Sequence, residues 1–74
     1  MEKYYITRTD LITGAVSYKK NKTVDGWAGE GFKPYCWRFS KQGARGIVAR
    51  LTSAQQRSPY MKERYLYGIE SVKE

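Results

Sequence analysis

The feature that most constrains the fold is an aromatic segment that leads directly into an amphipathic helix, at residues 35–51. Ser40 is a preferred N-cap, and Phe39 and Ala44 occupy the two positions of a hydrophobic staple. Apolar residues then follow at the spacing i, i+3, i+4 and i+7, namely Ala44, Ile47, Val48 and Leu51. A helix with a single apolar stripe must cover an apolar surface, and the flanking segments are expected to supply it as a sheet.

Two segments before the helix predict a β-hairpin. Residues 3–9 are rich in aromatic and β-branched side chains, and residues 15–20 alternate again. Between them, the Asp10 side chain can bond the backbone two residues further on, and Gly14 can adopt the left-handed conformation that closes the turn.

The other segments complete the predicted sheet. They are a glycine-rich irregular connector at 21–31, a third strand at 32–39, a polar loop at 52–59 and a final strand at 65–72. Alternation in the third strand would place Tyr35, Trp37 and Phe39 on one face, with Cys36 and Arg38 on the other. The order ββ-β-α-β predicts an α+β fold, in which one helix packs on a small, mainly antiparallel sheet of three to four strands.

The length of 74 residues predicts one small domain over residues 1–74. Such a domain buries only about 60% of its unfolded surface, so its stability is marginal. Cys36 is the single cysteine and cannot form a disulfide within the chain. Self-association as a homodimer is therefore one expected source of extra stability.

Several chemistries are excluded by residue type. The chain has no histidine, which excludes His-based acid–base catalysis and makes a structural zinc improbable. Cys36 is expected to be a packed, inert thiol, and the seven acidic residues are scattered. We expect no enzyme activity, no cofactor and no metal. A single thiol, a polar N-terminus and the lack of a long apolar stretch predict a cytoplasmic protein without a membrane partner.

The net charge of +7 predicts a polyanionic partner, either nucleic acid or an acidic protein surface, although a basic surface can also serve solubility alone. Residues 26–50 carry most of the excess. The candidate binding residues are basic side chains and one tryptophan, namely Arg38, Lys41, Arg45, Arg50, Lys19, Lys20, Lys22, Lys33 and Trp27. Basic groups among aromatic ones suit phosphate contact with base stacking.

Some positions allow two interpretations. Trp27 is either an anchor on the core or an exposed contact residue. Leu11 and Ile12 at the hairpin tip either fold back on the core or are exposed at a contact surface. Gly43 and Gly46 either mark a close approach by a partner or belong to a marginal but tolerated helix.

Four short segments resemble small phage or prophage early proteins of unknown function. They are Lys-Tyr-Tyr-Ile at the start, Asp-x-x-Thr-Gly in the hairpin, Trp-Arg-Phe-Ser-Lys at the helix and Tyr-Gly-Ile-Glu-Ser-Val near the end. This resemblance implies a regulator or inhibitor in the host cytoplasm. We therefore expect a nucleic-acid-binding or regulatory protein. The alternative is a phage-type inhibitor or adaptor that binds an acidic host protein through exposed aromatic and arginine residues.

Overall fold

The computed structural model describes residues 2–23, 26–58 and 64–72, which form a four-stranded antiparallel sheet and one α-helix. The elements are β1 (Tyr4–Asp10), β2 (Val16–Lys19), β3 (Trp27–Gly29), a 3₁₀ helix (Glu30–Tyr35), α1 (Lys41–Arg57) and β4 (Tyr65–Ser71). The strand order is β3-β2-β1-β4, and each neighbouring pair is antiparallel. The predicted α+β fold is confirmed.

The predicted β1–β2 hairpin is confirmed, with Thr9 opposite Val16. The Asp10 Oδ1 atom accepts a hydrogen bond from the Ile12 N–H at 2.8 Å, as expected for a short polar side chain at a turn. Gly14 has a φ of 79°, a conformation that costs glycine little because it lacks a Cβ. Asp10 and Gly14, the residues that predicted the turn, are therefore the ones that form it.

Helix α1 packs against one face of the sheet. Its predicted N-cap is confirmed, because the Ser40 hydroxyl accepts from the Gly43 N–H at 3.2 Å. The buried core on this face consists of Tyr4, Ile6, Phe39 and Ala44, with Trp27, Ile47, Val48 and Ile69 packed around it. Full burial of one large apolar side chain such as Ile6 stabilises the fold by about 1.5–3 kcal/mol.

A second, smaller cluster lies on the opposite face of the sheet. It contains the buried residues Tyr5, Tyr18 and Cys36. The rings of Tyr5 and Tyr18 meet edge to face, with centroids 5.8 Å apart. The thiol of Cys36 donates to the Phe32 carbonyl at 3.4 Å, and burial raises its pKa, which keeps it protonated. The prediction of a packed thiol is confirmed.

The predicted third strand at 32–39 is wrong. The first part of that segment belongs to the 3₁₀ helix, and only Phe39 makes a β-bridge, to Tyr4. Pro34 explains part of the difference, because it has no N–H to donate to a ladder and its fixed φ suits the helical turn. The third strand is instead β3, within the segment predicted as an irregular connector.

The predicted end of the helix at residue 51 is also wrong. Helix α1 continues to Arg57, through most of the segment predicted as a polar loop. That extension contains no glycine or proline, and its polar residues are mainly exposed. The predicted loop ends at residue 59, which lies outside the described residues together with residues 60–63. None of the helices in the described part of the chain combines the length and apolar character needed to cross a bilayer.

Candidate nucleic-acid interface

A cleft of about 370 Å³ opens between helix α1 and the chain that leaves strand β2. Lys19 at the end of β2 and Lys22 in the following loop form one wall with Thr23. The helix forms the other wall with Ile47, Arg50, Leu51 and Ala54. Of the described residues that line this cleft, none is acidic. The cleft therefore combines three cationic groups with an apolar wall.

Lys19 is the last residue of β2, and Lys20 directly follows the strand. Because side chains alternate along a strand, Lys19 points to the face that carries α1 and Lys20 points to the other face. Lys19 lies opposite Trp27 in the sheet, with its Nζ 5.9 Å from the Trp27 ring. Its side chain is only 5% exposed, so it forms the recessed part of the cleft wall.

Arg50 and Lys22 reach the cleft from opposite sides. Both are exposed, and neither forms an ion pair with a described residue. Arg50 lies three residues after Ile47 on the same flank of the helix, which is why a basic and an apolar side chain share one wall. A guanidinium that is not paired with a carboxylate has N–H groups available to bind an external anion.

The structure does not bring all the predicted binding residues to this cleft. Arg45 lies about 140° around the helix from Arg50, at about 100° per residue, and therefore on the other flank. Lys41 begins the helix, and Arg38 is exposed in the segment before it. These three residues lie outside the lining of the cleft.

Lys33 lies on the opposite face of the sheet. Its ammonium pairs with the Glu70 carboxylate and sits 5.5 Å from the Tyr5 ring centroid and 5.2 Å from that of Tyr18. The hydrogen bond to Glu70 raises the pKa of Lys33. Its position indicates a structural role over the second cluster, away from the cleft.

Three aromatic side chains in the segment before α1 are exposed. Phe32 is 63% exposed, Tyr35 is 84% exposed and Trp37 is 48% exposed, whereas Phe39, which the predicted strand places on the same face as Tyr35 and Trp37, is buried. The Trp37 N–H donates to the Lys20 carbonyl at 3.1 Å, which holds this segment beside the end of β2. Of these three residues, Trp37 is therefore the one whose backbone lies beside the chain that continues towards the cleft.

Trp27 is an anchor on the core, which decides between its two interpretations. It is half-buried and packs against the cluster under α1. The guanidinium of Arg8 lies 4.7 Å from its ring centroid and 4.4 Å from that of Tyr65. This stacked arrangement was not predicted, because it depends on pairing between strands that are far apart in the chain.

Within the described ranges, no three Cys, Asp or Glu side chains gather in a way that could hold a metal ion. Comparison of the chain with protein-family models, with curated proteins and with solved structures finds no match.

Proposed function

We propose that this chain is a non-enzymatic nucleic-acid-binding protein that prefers single strands. The supporting observation is that Arg50 and Lys22 converge with Lys19 on one cleft whose described lining contains no acidic residue. Nucleic-acid affinity arises largely from cations that neutralise phosphates, and the net charge of +7 adds long-range attraction.

The cleft offers complementary groups to a nucleotide. The planar guanidinium of Arg50 can bind two phosphate oxygens at once, and the Lys22 ammonium adds a mobile point charge. The apolar wall formed by Ile47, Leu51 and Ala54 suits the less polar face of a sugar or base.

The preference for single strands follows from the exposed rings. Each base that stacks on an aromatic side chain contributes about 1–3 kcal/mol. The bases of a duplex are already stacked and paired, whereas those of a single strand can be splayed onto Trp37 or Tyr35. A single strand can therefore use both the cationic cleft and the rings.

Fluorescence anisotropy with labelled single-stranded and duplex oligonucleotides over a range of salt concentrations tests this function. We expect tighter binding of the single strand, and affinity that falls linearly with salt on a double logarithmic plot. Arg50→Glu and Lys22→Glu should each weaken binding and reduce the slope by roughly one. Lys3→Glu changes the net charge equally but lies outside the cleft lining, and it is the matched control. Absence of binding at low salt would refute the proposal.

A second candidate is a regulator, inhibitor or adaptor that binds a protein, in line with the resemblance to small phage proteins. An exposed apolar patch at the hairpin end of the sheet favours it, formed by Leu11, Ile12, Val16 and Leu66. Val16 and Leu66 both lie opposite Thr9, and therefore share one face with it. Uncharged aliphatic groups contribute little to phosphate binding but are common at protein contacts.

Pull-downs from host lysate, with and without nuclease treatment, separate the two candidates. A stoichiometric protein partner that is retained by the unaltered chain and lost with Ile12→Ser plus Leu66→Ser supports the adaptor. Recovery that depends on Arg50 and disappears after nuclease treatment supports nucleic-acid binding instead.

A further inference from the structure

The two tryptophans of the chain differ in what covers their rings. The guanidinium of Arg8 lies over the Trp27 ring, 4.7 Å from its centroid, and the Tyr67 ring lies 5.9 Å away. Trp37 is 48% exposed, and within the described part of the chain no aromatic ring or cation stacks on it. Its exposed surface is therefore available to an external group, and an indole offers a large platform for stacking.

Alternation along residues 36–39 places Trp37 on the face of the sheet that carries α1. Cys36 is buried in the second cluster on the opposite face, and Phe39 is buried under α1. Both are extended, because Cys36 has φ −81° and ψ 154°, and Phe39 exchanges two main-chain hydrogen bonds with Tyr4 at 2.7 and 2.8 Å. Successive side chains of an extended segment point to opposite faces, so Trp37 shares the face of Phe39. The cleft, which α1 helps to form, opens on this same face.

The backbone of Trp37 is held beside the end of β2. Its main-chain N–H donates to the Lys20 carbonyl at 3.1 Å, and the buried residues Cys36 and Phe39 lie on either side of it in the chain. Lys22, which lines the cleft, follows Lys20 by two residues, so their Cα atoms are at most about 7 Å apart. A side chain on a fixed backbone loses little conformational freedom when a base stacks on it. The backbone that carries the indole is therefore in place beside the cationic wall before any strand binds.

The other two exposed rings before α1 lie elsewhere. Phe32 and Tyr35 belong to the 3₁₀ helix, whose Phe32 carbonyl accepts from the Cys36 thiol and whose Lys33 ammonium lies over the Tyr5 ring. The helix that carries both rings therefore packs over the second cluster, across the sheet from the cleft. Tyr35 is also 84% exposed, so few contacts hold its ring in one orientation.

We propose that Trp37 is the base-stacking residue of this protein and the source of its preference for single strands, an inference that rests on the nucleic-acid binding proposed above. A strand that has one phosphate at Arg50 and Lys22 places the base of a nearby nucleotide on the indole. Because every base has a π-face, this position accepts an unpaired base of any type, whereas the cleft binds the phosphates of single strands and duplexes alike.

Abasic oligonucleotides test this division of roles on the unaltered chain. An abasic single strand keeps the length and the phosphates of the normal strand but has no base to stack. By fluorescence anisotropy, we expect it to bind about 5- to 150-fold more weakly than the normal strand, which is the contribution of one stacked base. Equal affinity for the two strands would overturn the inference. Binding of neither strand at low salt would refute the proposed function and this inference with it.

Trp37→Ala should weaken binding of the normal single strand by the same factor and leave the affinities for the duplex and the abasic strand unchanged. The slope of affinity against salt should also stay the same, because the phosphate contacts remain. Tyr35→Ala removes a more exposed ring two positions earlier and is the matched control, which should change none of the three affinities. An equal loss for all three probes in Trp37→Ala, or an equal loss in both variants, would overturn the assignment.

Tryptophan fluorescence tests the contact itself without relying on the alanine variant, because a stacked base quenches the emission of an indole. Unlabelled single strand should quench the unaltered chain and Trp27→Phe, whose remaining tryptophan is Trp37. In Trp37→Phe the remaining tryptophan is Trp27, over which Arg8 lies, and we expect the quenching to be lost while the phenyl ring retains part of the affinity. Quenching that persists in Trp37→Phe would overturn the assignment of Trp37.

Discussion

The side-chain amide of Gln55 bonds both main-chain groups of Tyr65. Its Nε2 donates to the Tyr65 carbonyl and its Oε1 accepts from the Tyr65 N–H, both at 2.8 Å. Gln55 is buried near the end of α1, and Tyr65 is the first residue of β4. These two bonds therefore join the end of the helix to the start of the last strand, and the helix must extend past residue 51 to make them.

Replacement of Gln55 by alanine should lower the free energy of unfolding by about 1–3 kcal/mol, because part-buried backbone groups of Tyr65 lose their partner. Gln55→Glu should also destabilise the chain near neutral pH, because a carboxylate has no N–H to donate to the Tyr65 carbonyl. Urea unfolding measures both changes. Gln56→Ala removes an exposed glutamine one position along and is the matched control; equal loss in both alanine variants would contradict this role.

The two glycines of α1 should respond differently to alanine. A Cβ at Gly46 would have no heavy atom within 4 Å, so no other part of the described chain approaches it. Gly46→Ala should therefore stabilise the helix by up to about 1 kcal/mol. At Gly43 a Cβ would lie 3.0 Å from the Ser40 hydroxyl oxygen, which caps the helix, and the gain should be smaller or absent. Thermal unfolding of the two variants compares them directly, and an equal gain would contradict the crowding at Gly43.

Protonation of the Asp10 carboxylate should account for part of the loss of folding stability at acid pH. Hydrogen bonds from the Ile12 N–H and then the Thr13 N–H, together with Arg64, hold the pKa of the Asp10 carboxyl below its ordinary value of 3.8. Because the folded-state pKa is lower than the unfolded one, this stabilisation is present above about pH 4 and is lost as the pH falls through the folded-state pKa.

Asp10→Asn tests this contribution, because an asparagine oxygen can still accept from the backbone but does not titrate near pH 4. We expect the urea midpoint of the variant to change less than that of the unaltered chain between about pH 5 and about pH 3. An unchanged acid dependence in the variant would show that other carboxyl groups dominate.

The parts of the fold that were predicted correctly depend on local interactions. Ser40 caps the helix through a residue three positions away, and the Asp10 turn closes within a few residues. Strand β3 has only three residues and forms because Trp27 pairs with Lys19 of the neighbouring strand. The sequence around Trp27 contains no pattern that predicts this pairing. The alternation around Tyr35 resembled a strand, whereas Pro34 and the packing of Cys36 favoured a 3₁₀ turn instead.

The same distinction applies to the candidate interface. Residue type identified the basic side chains, but helical geometry separates Arg45 from Arg50, and only Arg50 lines the cleft. Lys22 joins Arg50 because the chain after β2 returns beside the helix. This clustering of Lys22 with Arg50 depends on tertiary structure. It cannot be predicted from the distribution of charges along the sequence.

Arg8 should stabilise the part of the sheet where Trp27 and Tyr65 meet. Its guanidinium lies within 4.7 Å of both ring centroids, and all three side chains are half-buried. Cation–π contacts contribute about 0.5–2 kcal/mol, so Arg8→Ala should lower the free energy of unfolding by about 1–2 kcal/mol. Arg8→Lys should recover only part of this, because an ammonium cannot stack flat between two rings. Chemical denaturation of both variants, with the exposed Arg57→Ala as control, measures the effect; a full recovery by lysine would show that charge alone matters at this position.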